Sequence, residues 1–139
     1  MSQIQSYLFF EGRCQEAMDF YRDAIGAVPG RSMLYKDSPD PAMGQNPAMA
    51  DKIMHAEFTI GDTTLMASDG NCSGKPNFEG FGLSLPAQDA ADAERLFNAV
   101  SAGGQVVMPL ARTFFSDSFG MAKDRFGILW MVLVPMPRG

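Results

Sequence analysis

The sequence is short of the side chains that most often bind metals or form crosslinks, with one histidine and two cysteines among 139 residues. A single histidine excludes any site that needs several imidazoles. Two cysteines are too few for a disulfide scaffold, and the spacing of Cys14 and Cys72 matches no zinc motif. Free thiols are typical of a reducing compartment, so we predict a cytoplasmic protein.

Basic clusters and long apolar runs are also missing. The net charge is −5 and no group of Lys or Arg stands out, which argues against nucleic-acid binding because phosphate recognition needs a basic face. No run approaches the roughly 20 apolar residues of a membrane span, and the first residues do not resemble a signal peptide. We therefore predict no nucleic-acid partner and no membrane partner.

Methionine and phenylalanine, by contrast, are abundant, with 11 of each. Ordinary core packing is the simplest explanation, because both residue types are commonly buried. Methionine also adapts to irregular apolar space, so the same composition suits an adaptable apolar cavity. The remaining composition, 46% hydrophobic and 19% charged, is typical of one folded domain.

A pattern of one strand, one helix and three strands occurs twice along the chain. Each helix has apolar residues at three- and four-residue spacing; the first ends at Gly26, and the second begins after Asp89 as N-cap and ends at Gly103. The three strand-like runs after each helix cover residues 27–36, 52–60 and 63–69, and then 105–113, 115–123 and 128–135. We predict an α+β fold, with one domain over residues 1–139 made of two βαβββ modules at about 1–70 and 78–137.

Two short turns set the predicted strand registers. Asp124–Gly127 suits a four-residue turn, and Gly61-Asp62 suits a two-residue hairpin turn. The hairpin turn pairs Ile60 with Thr63, so that one face of the hairpin is polar and the other apolar. The polar face holds His55 opposite Ser68 and Glu57 opposite Met66. The apolar face, predicted to lie beneath the helices, holds Ala56, Phe58, Ile60, Leu65 and Ala67.

The duplicated βαβββ plan resembles the vicinal oxygen chelate superfamily, which includes glyoxalase I, extradiol dioxygenases and bleomycin-resistance proteins. Within it, the chain is most similar to the PhnB-like branch. The segments that carry the resemblance cover nearly the whole chain: YLFFEGRCQEAMDFYRDAIGA, KIMHAEFTIGDTTLMASDG, GFGLSLPAQDAADAERLFNAVSAGG and TFFSDSFGMAKDRFGILWMV. The resemblance implies curved mixed sheets that form a cavity, a homodimer, and a hairpin whose polar face is the cavity face.

The metal site of this superfamily is not expected in this chain. In metal-binding members the ligands come from the first and last strands of each module and are usually His and Glu. The resemblance places Ser6, Met66, Phe81 and Met131 at those positions, and none of them is a normal ligand for a hard or borderline divalent cation. We predict no stoichiometric metal and no other cofactor.

His55 and Glu57 are the candidate catalytic residues, and three interpretations of them remain open. In the first, His55 is a structural histidine that is hydrogen-bonded to Glu57 or Ser68. In the second, His55 and Glu57 form a general acid/base pair, because imidazole titrates near neutral pH and a carboxylate can orient it. In the third, the two residues join Asp69 in a weak metal site, for which two ligands on one strand are a poor geometric start.

Other polar or aromatic residues are weaker candidates. A turn explains Asp117 as well as a binding role does, and Cys72 lies in a Gly/Ser loop with no base near it in sequence. Tyr7 and Trp130 alternate with the residues at the ligand positions of their strands. We therefore predict that both pack beneath the helices.

We predict a PhnB-like protein that binds a small molecule in an apolar cavity without the metal site of the superfamily. The predicted ligand-binding side chains are Ser6, Met66, Ser68, Phe81 and Met131. The alternative is a metal-independent enzyme of the lyase, isomerase or transferase type that uses His55 and Glu57 as an acid/base pair. The PhnB-like branch has also been labelled a ubiquinone methyltransferase, but no methyl-donor glycine loop follows a strand in this sequence.

Overall fold

The computed structural model describes residues 4–38 and 47–135. The chain divides into two compact units, Met1–Asn77 and Phe78–Gly139. Each unit follows the order strand, helix and three strands. The α+β class and the duplicated βαβββ plan are therefore confirmed.

The first unit contains one helix and a four-stranded sheet. Its elements are β1 (Tyr7–Phe9), α1 (Cys14–Ile25), β2 (Val28–Leu34), β3 (Ile53–Ile60) and β4 (Thr63–Ser68), with short 3-10 turns at Tyr35–Asp37 and Pro47–Met49. The strand order is β1-β4-β3-β2, in which β1 runs parallel to β4 and the other neighbours are antiparallel. The first strand of the unit is thus hydrogen-bonded to its last strand.

The second unit repeats this topology. Its elements are β5 (Gly82–Pro86), α2 (Ala90–Ser101), β6 (Gln105–Ala111), β7 (Ser116–Lys123) and β8 (Leu129–Pro135). The strand order is β5-β8-β7-β6, and β5 runs parallel to β8. Among the described residues, no helix is long and apolar enough to span a membrane.

The predicted start of α2 and the predicted end of α1 are present, whereas α2 ends at Ser101, before the predicted Gly103. Asp89 is the N-cap of α2, because its carboxylate accepts a hydrogen bond from the Asp92 backbone N–H at 2.8 Å. Gly26 ends α1 in the left-handed conformation, with φ of 74°, and its N–H bonds the Arg22 carbonyl. The buried faces of the helices consist of Cys14, Ala17, Met18 and Tyr21 in α1, and Ala93, Leu96, Phe97 and Val100 in α2.

The register of the β3–β4 hairpin agrees with the sequence prediction. Ile60 pairs with Thr63 across the turn, and Glu57 pairs with Met66. Gly61 adopts a φ of 59°, a conformation that glycine accepts without strain. Four residues of the predicted apolar face are buried: Ala56, Phe58, Leu65 and Ala67.

The side chains of β1 alternate in the opposite sense to the one expected. Leu8 is buried, whereas Tyr7 is 37% exposed and Phe9 is 52% exposed. The predicted packing of Tyr7 beneath the helix is therefore wrong. Ser6 directly precedes β1, and its predicted place on the cavity face stays a prediction. Burial of a tyrosine hydroxyl requires a hydrogen-bond partner, so the purely apolar Leu8 takes the place beneath α1.

A buried carboxylate fastens α1 to the sheet of the first unit. Asp69 is 2% exposed, and its two oxygens accept hydrogen bonds from the backbone N–H of Cys14 at 2.8 Å and of Ile53 at 2.6 Å. The N-cap residue of α1, Arg13, makes no side-chain cap hydrogen bond. Asp69 therefore caps the helix from a distant part of the chain and also holds the start of β3.

The second unit also contains a buried aspartate, but it acts within one turn. Asp124 accepts hydrogen bonds from two backbone N–H groups, those of Phe126 and Ile128. The predicted four-residue turn is present, because the Gly127 N–H bonds the Asp124 carbonyl at 3.0 Å. The indole N–H of Trp130, which is buried as predicted, donates to the same carboxylate at 2.9 Å.

We expect Asp69→Ala to lower the free energy of unfolding by about 2–4 kcal/mol, because it leaves two buried backbone N–H groups without acceptors. Urea unfolding followed by circular dichroism measures the change. Asp23→Ala, at an exposed position of α1, is the matched control and should change the free energy of unfolding by no more than about 0.5 kcal/mol. Equal unfolding midpoints for Asp69→Ala and the parent protein would contradict the role of Asp69.

Candidate functional site

The open face of the first sheet is the surface opposite the side chains that pack on α1. Phe58 of β3 stacks on Tyr21 of α1, with 5.9 Å between the ring centroids, and so defines the covered side. The strand pairings place on the open face Tyr7, Phe9, Met33, His55, Glu57, Met66 and Ser68. His55, Glu57 and Met66 are half-buried there, whereas Ser68 is only 3% exposed.

The single histidine of the chain is hydrogen-bonded to Tyr7. The Tyr7 hydroxyl lies 3.0 Å from Nδ1 of His55, and the two ring centroids are 5.6 Å apart. Tyr7 also stacks on Phe9, with a centroid distance of 4.9 Å and an interplanar angle of 30°. The open face therefore presents three rings in a row, and one edge of this row carries a phenol–imidazole hydrogen bond.

Ser68 lies near the Tyr7 hydroxyl and influences its pKa. Its own hydroxyl accepts a hydrogen bond from the Gly70 N–H at 2.9 Å and donates to the Ile53 carbonyl at 3.5 Å. Burial raises the pKa of Tyr7 above its ordinary value and outweighs the opposing effect of Ser68. Tyr7 is therefore a neutral phenol at neutral pH. Its hydroxyl donates to Nδ1 in one tautomer of His55 and accepts from Nδ1–H in the other.

Glu57 shares the open face with His55 but does not orient it. Among the described residues, no hydrogen bond and no ion pair involves the Glu57 carboxylate. The residue that holds His55 is Tyr7, on a strand that is distant in sequence. The proposed pairing of His55 with Glu57 is thus replaced by a pairing of His55 with Tyr7, and the acid/base role of Glu57 stays a prediction.

Asp69 is not available to complete a metal site with His55 and Glu57. Both of its carboxylate oxygens accept backbone hydrogen bonds, as described above. Over residues 4–38 and 47–135, no three His, Cys, Asp or Glu side chains come together in a way that would hold a metal ion. The structure therefore does not bring together the three residues of the weak metal site considered from the sequence.

The ligand positions of the metal-binding superfamily members do not fit a metal here either. In the strand pairings, Met66 lies beside Tyr7, and Met131 lies beside Ser84. Tyr7 and Ser84 are thus the direct neighbours of the two methionines, where the family resemblance predicted Ser6 and Phe81. Neither set supplies the His and Glu side chains that a borderline divalent cation prefers, so no chemical step is assigned to a metal.

The second unit has its own open face, on which Met131 is half-buried between Ser84 of β5 and Met121 of β7. Phe81 precedes β5 rather than belonging to it. It lies at the rim of a depression of about 450 Å³ within this unit. Other residues that line this depression are Phe78, Glu79, Lys123 and Leu129. The predicted contacts of Phe81 and Met131 with a ligand stay predictions.

Neither cysteine has the properties of a nucleophile. Burial raises the pKa of the Cys14 thiol to about 12, and Asp69 adds to the effect. Burial also raises the pKa of Cys72, again with a contribution from Asp69. Both thiols are therefore protonated at neutral pH, which agrees with the exclusion of Cys72 from the candidate catalytic residues.

Sequence reasoning missed three residues of the open face: Tyr7, Phe9 and Met33. The signal that would have located Tyr7 is the pairing of the first and last strands of the module, which places one β1 residue directly beside Met66. Met33 lies opposite His55 on β2, beyond a register irregularity, and no local pattern would have located it.

Comparison with known proteins gives consistent matches over nearly the whole chain. A sequence profile of the family described as 3-demethylubiquinone-9 3-methyltransferase matches residues 2–133. The protein YjdN of Escherichia coli (strain K12) is 33% identical over 144 residues, which cover 94% of each chain. The crystal structure of PA1353 from Pseudomonas aeruginosa has a TM-score of 0.84 at 40% identity, and the match covers 99% of this chain and 100% of that one.

More distant solved structures share the fold. The PhnB protein of Bacillus cereus matches with a TM-score of 0.78 at 24% identity, over 96% of this chain and 99% of that one. A glyoxalase-related enzyme of Fulvimarina pelagi matches with a TM-score of 0.64 at 16% identity, over 100% and 94% of the two chains. At these identities the likeness concerns the fold alone.

We expect Tyr7→Phe to lose less stability than the parent protein as the pH rises into the alkaline range. The pKa of Tyr7 is raised in the folded protein, so above about pH 10 the unfolded chain releases this proton first. The stabilisation is complete below that pH and is lost as the pH rises toward the folded-state pKa. Urea midpoints measured from about pH 8 to pH 11 should therefore fall less steeply for Tyr7→Phe than for the parent protein. Parallel curves would contradict the raised pKa.

Proposed function

The chain belongs to the 3-demethylubiquinone-9 3-methyltransferase family, as a PhnB-like member of the vicinal oxygen chelate superfamily, and from this premise we propose that it binds a small organic molecule on the open face of its first sheet. The fold alone does not assign the activity, because one fold hosts many chemistries. The proposal therefore depends on the residues of that face.

The hydrogen bond between Tyr7 and His55 is the observation that carries the proposal. Tyr7 is 37% exposed and His55 is half-buried, so neither residue belongs to the closed core. Their bond lies on the accessible face of the sheet. Its effect is to hold two polar groups in a fixed geometry beside the apolar side chains of Phe9 and Met66. Apolar surface with a few fixed polar groups is typical of small-molecule sites.

The proposal uses neither a metal nor another cofactor. Methyl transfer, which the family description names, is not proposed for this chain. A methyl donor that resembles a nucleotide is commonly held by a glycine-rich loop between a strand and a helix. The corresponding joints here, residues 10–13 and 87–89, contain a single glycine.

A metal-independent enzyme is the second candidate function, and the contact between Tyr7 and His55 favours it. In the tautomer whose Nδ1–H donates to the Tyr7 oxygen, Nε2 of His55 has a free lone pair and is able to accept a proton from a substrate, while the phenol keeps the ring in place. In this version His55 is the general base and Tyr7 positions it, with Glu57 as the second acid/base group.

Two further predictions belong to the proposal. Phe81 and Met131 remain proposed ligand contacts in the second unit. The free thiols favour a cytoplasmic location.

Ligand-induced thermal stabilisation tests the proposal. The full-length protein is screened against a panel of metabolites and antibiotics, with divalent metals added in one arm and a chelator in the other. We expect at least one compound to raise the melting temperature equally in both arms. His55→Ala should abolish that shift while changing the stability of the free protein by less than about 1 kcal/mol.

Thr59→Ala is the matched control, because Thr59 lies on the same strand and alternates onto the same face as His55. It should leave the ligand shift unchanged. A panel without any shift, or a shift that His55→Ala leaves intact, would contradict the proposed site. Turnover of the bound compound that is lost in His55→Ala would favour the enzymatic version.

We also propose a homodimer. β6 is an edge strand whose apolar side chains Val106, Val107 and Met108 are all exposed, and Phe114 beyond it is 95% exposed. Exposed apolar surface of this kind is commonly covered by a second copy. Light scattering at micromolar concentration should give twice the chain mass, and Val107→Lys should reduce it toward one chain. A parent protein that is monomeric under these conditions would contradict the proposal.

A further inference from the structure

Glu57 differs from the two buried carboxylates, Asp69 and Asp124. Asp69 and Asp124 are buried and accept hydrogen bonds at both of their oxygens. Glu57 is half-buried among apolar neighbours, and within the described ranges its carboxylate has no hydrogen-bond or ion-pair partner. A negative charge near apolar surface gains from a positive counter-charge. The residues that the structure describes supply none to the Glu57 carboxylate.

The space beside Glu57 is kept open by a glycine. Gly30 of β2 lies next to Glu57, and a Cβ atom added to Gly30 would lie 3.6 Å from the Cβ of Glu57 and 3.3 Å from its carbonyl oxygen. The φ angle of Gly30 is not in the left-handed region, so its backbone conformation does not require glycine. The close approach of the two backbones favours glycine at this position, and no side chain of Gly30 covers Glu57.

Aromatic rings lie on the other side of the same face. Met66 is paired with Glu57 on one side and with Tyr7 on the other, so the carboxylate and the Tyr7 ring are separated by one strand. Tyr7 stacks on Phe9, and both rings are exposed. The faces of aromatic rings attract cations. The aromatic rings and the Glu57 carboxylate thus both favour a positively charged ligand.

We propose that the ligand of this face carries a cationic nitrogen, an ammonium or a guanidinium, which binds the Glu57 carboxylate, together with an apolar or aromatic body that lies on Met66, Tyr7 and Phe9. This inference rests on the proposed function and adds the ligand class to it. Tyr7 and His55, which are hydrogen-bonded to each other, recognise a polar group of the body.

Three soluble probes of similar shape and different charge test the inference. Phenethylamine is a cation at neutral pH, phenethyl alcohol is neutral, and hydrocinnamate is an anion. Each is titrated into the full-length protein, and the amide shifts of residues 55–57 and 66 are followed by NMR. We expect the amine to bind about fivefold more tightly than the alcohol, which is the upper range for a partly exposed ion pair. The anion should bind most weakly.

Three variants separate the effect of the local charge from that of the net charge. Glu57→Gln should remove the preference for the amine while leaving the binding of the alcohol unchanged, and Glu57→Asp should retain part of the preference. Glu94→Gln changes the net charge equally on α2 of the second unit, where Glu94 is exposed, and should leave the preference intact. An unchanged amide spectrum outside the site verifies that each variant is folded.

The outcomes distinguish this inference from the function on which it rests. Equal affinity for amine and alcohol, or a preference that survives Glu57→Gln, would overturn the cationic ligand class while binding to this face stands. Failure of all three probes to shift the amides of the open face would overturn the ligand class. If the thermal screen also yielded no ligand that depends on His55, the proposed function itself would fall.

Discussion

The register of the β3–β4 hairpin is the constraint on which the first unit depends. The turn at Gly61 and Asp62 pairs Ile60 with Thr63, and every later pair follows from it. A slip of one residue would turn Glu57 toward α1 and place Phe58 in the solvent. A charged side chain would then be buried without a partner, at a cost of several kcal/mol. Core packing and the composition of the open face are thus two consequences of one turn.

The second constraint on the first unit is the carboxylate of Asp69, which holds α1 and β3 together through backbone N–H groups. The second unit has the same topology but a different arrangement, because Asp124 bonds its own turn and the indole of Trp130. The duplicated fold therefore does not repeat its buried polar contacts. In the first unit the long-range bond spans 55 positions between Cys14 and Asp69, and so it links elements that no local turn brings together.

Local signals in the sequence predict most of the fold. The N-cap at Asp89, the glycine end of α1 and the turn at Gly61-Asp62 each act within a few residues, and all three are present. The orientation of β1 was not predictable in this way, because Tyr7, Leu8 and the two following phenylalanines form an unbroken apolar run without alternation. Its orientation is decided by the parallel pairing with β4, which is distant in sequence.

The same limit applies to the site. His55 and Glu57 were recognisable because they lie on one predicted strand, and pairing across the hairpin adds Met66 and Ser68. The partner of His55, Tyr7, is 48 residues away, and only the completed sheet brings the two together. Asp69 was a plausible metal ligand by proximity in sequence, yet its oxygens are used by the backbone. Proximity in sequence thus indicated which strand carries the site but not which side chains act on one another.

The polar groups of the open face fall into two parts with different chemistry. One part is the hydrogen-bonded pair of Tyr7 and His55, in which burial raises the pKa of Tyr7 and its phenol stays protonated. The other part is the charged carboxylate of Glu57, which is separated from Tyr7 by the thioether of Met66. A hydrogen bond between His55 and Glu57 would merge the two parts and favour a protonated imidazole. Because the bond is made to Tyr7 instead, the carboxylate remains available to an external cation.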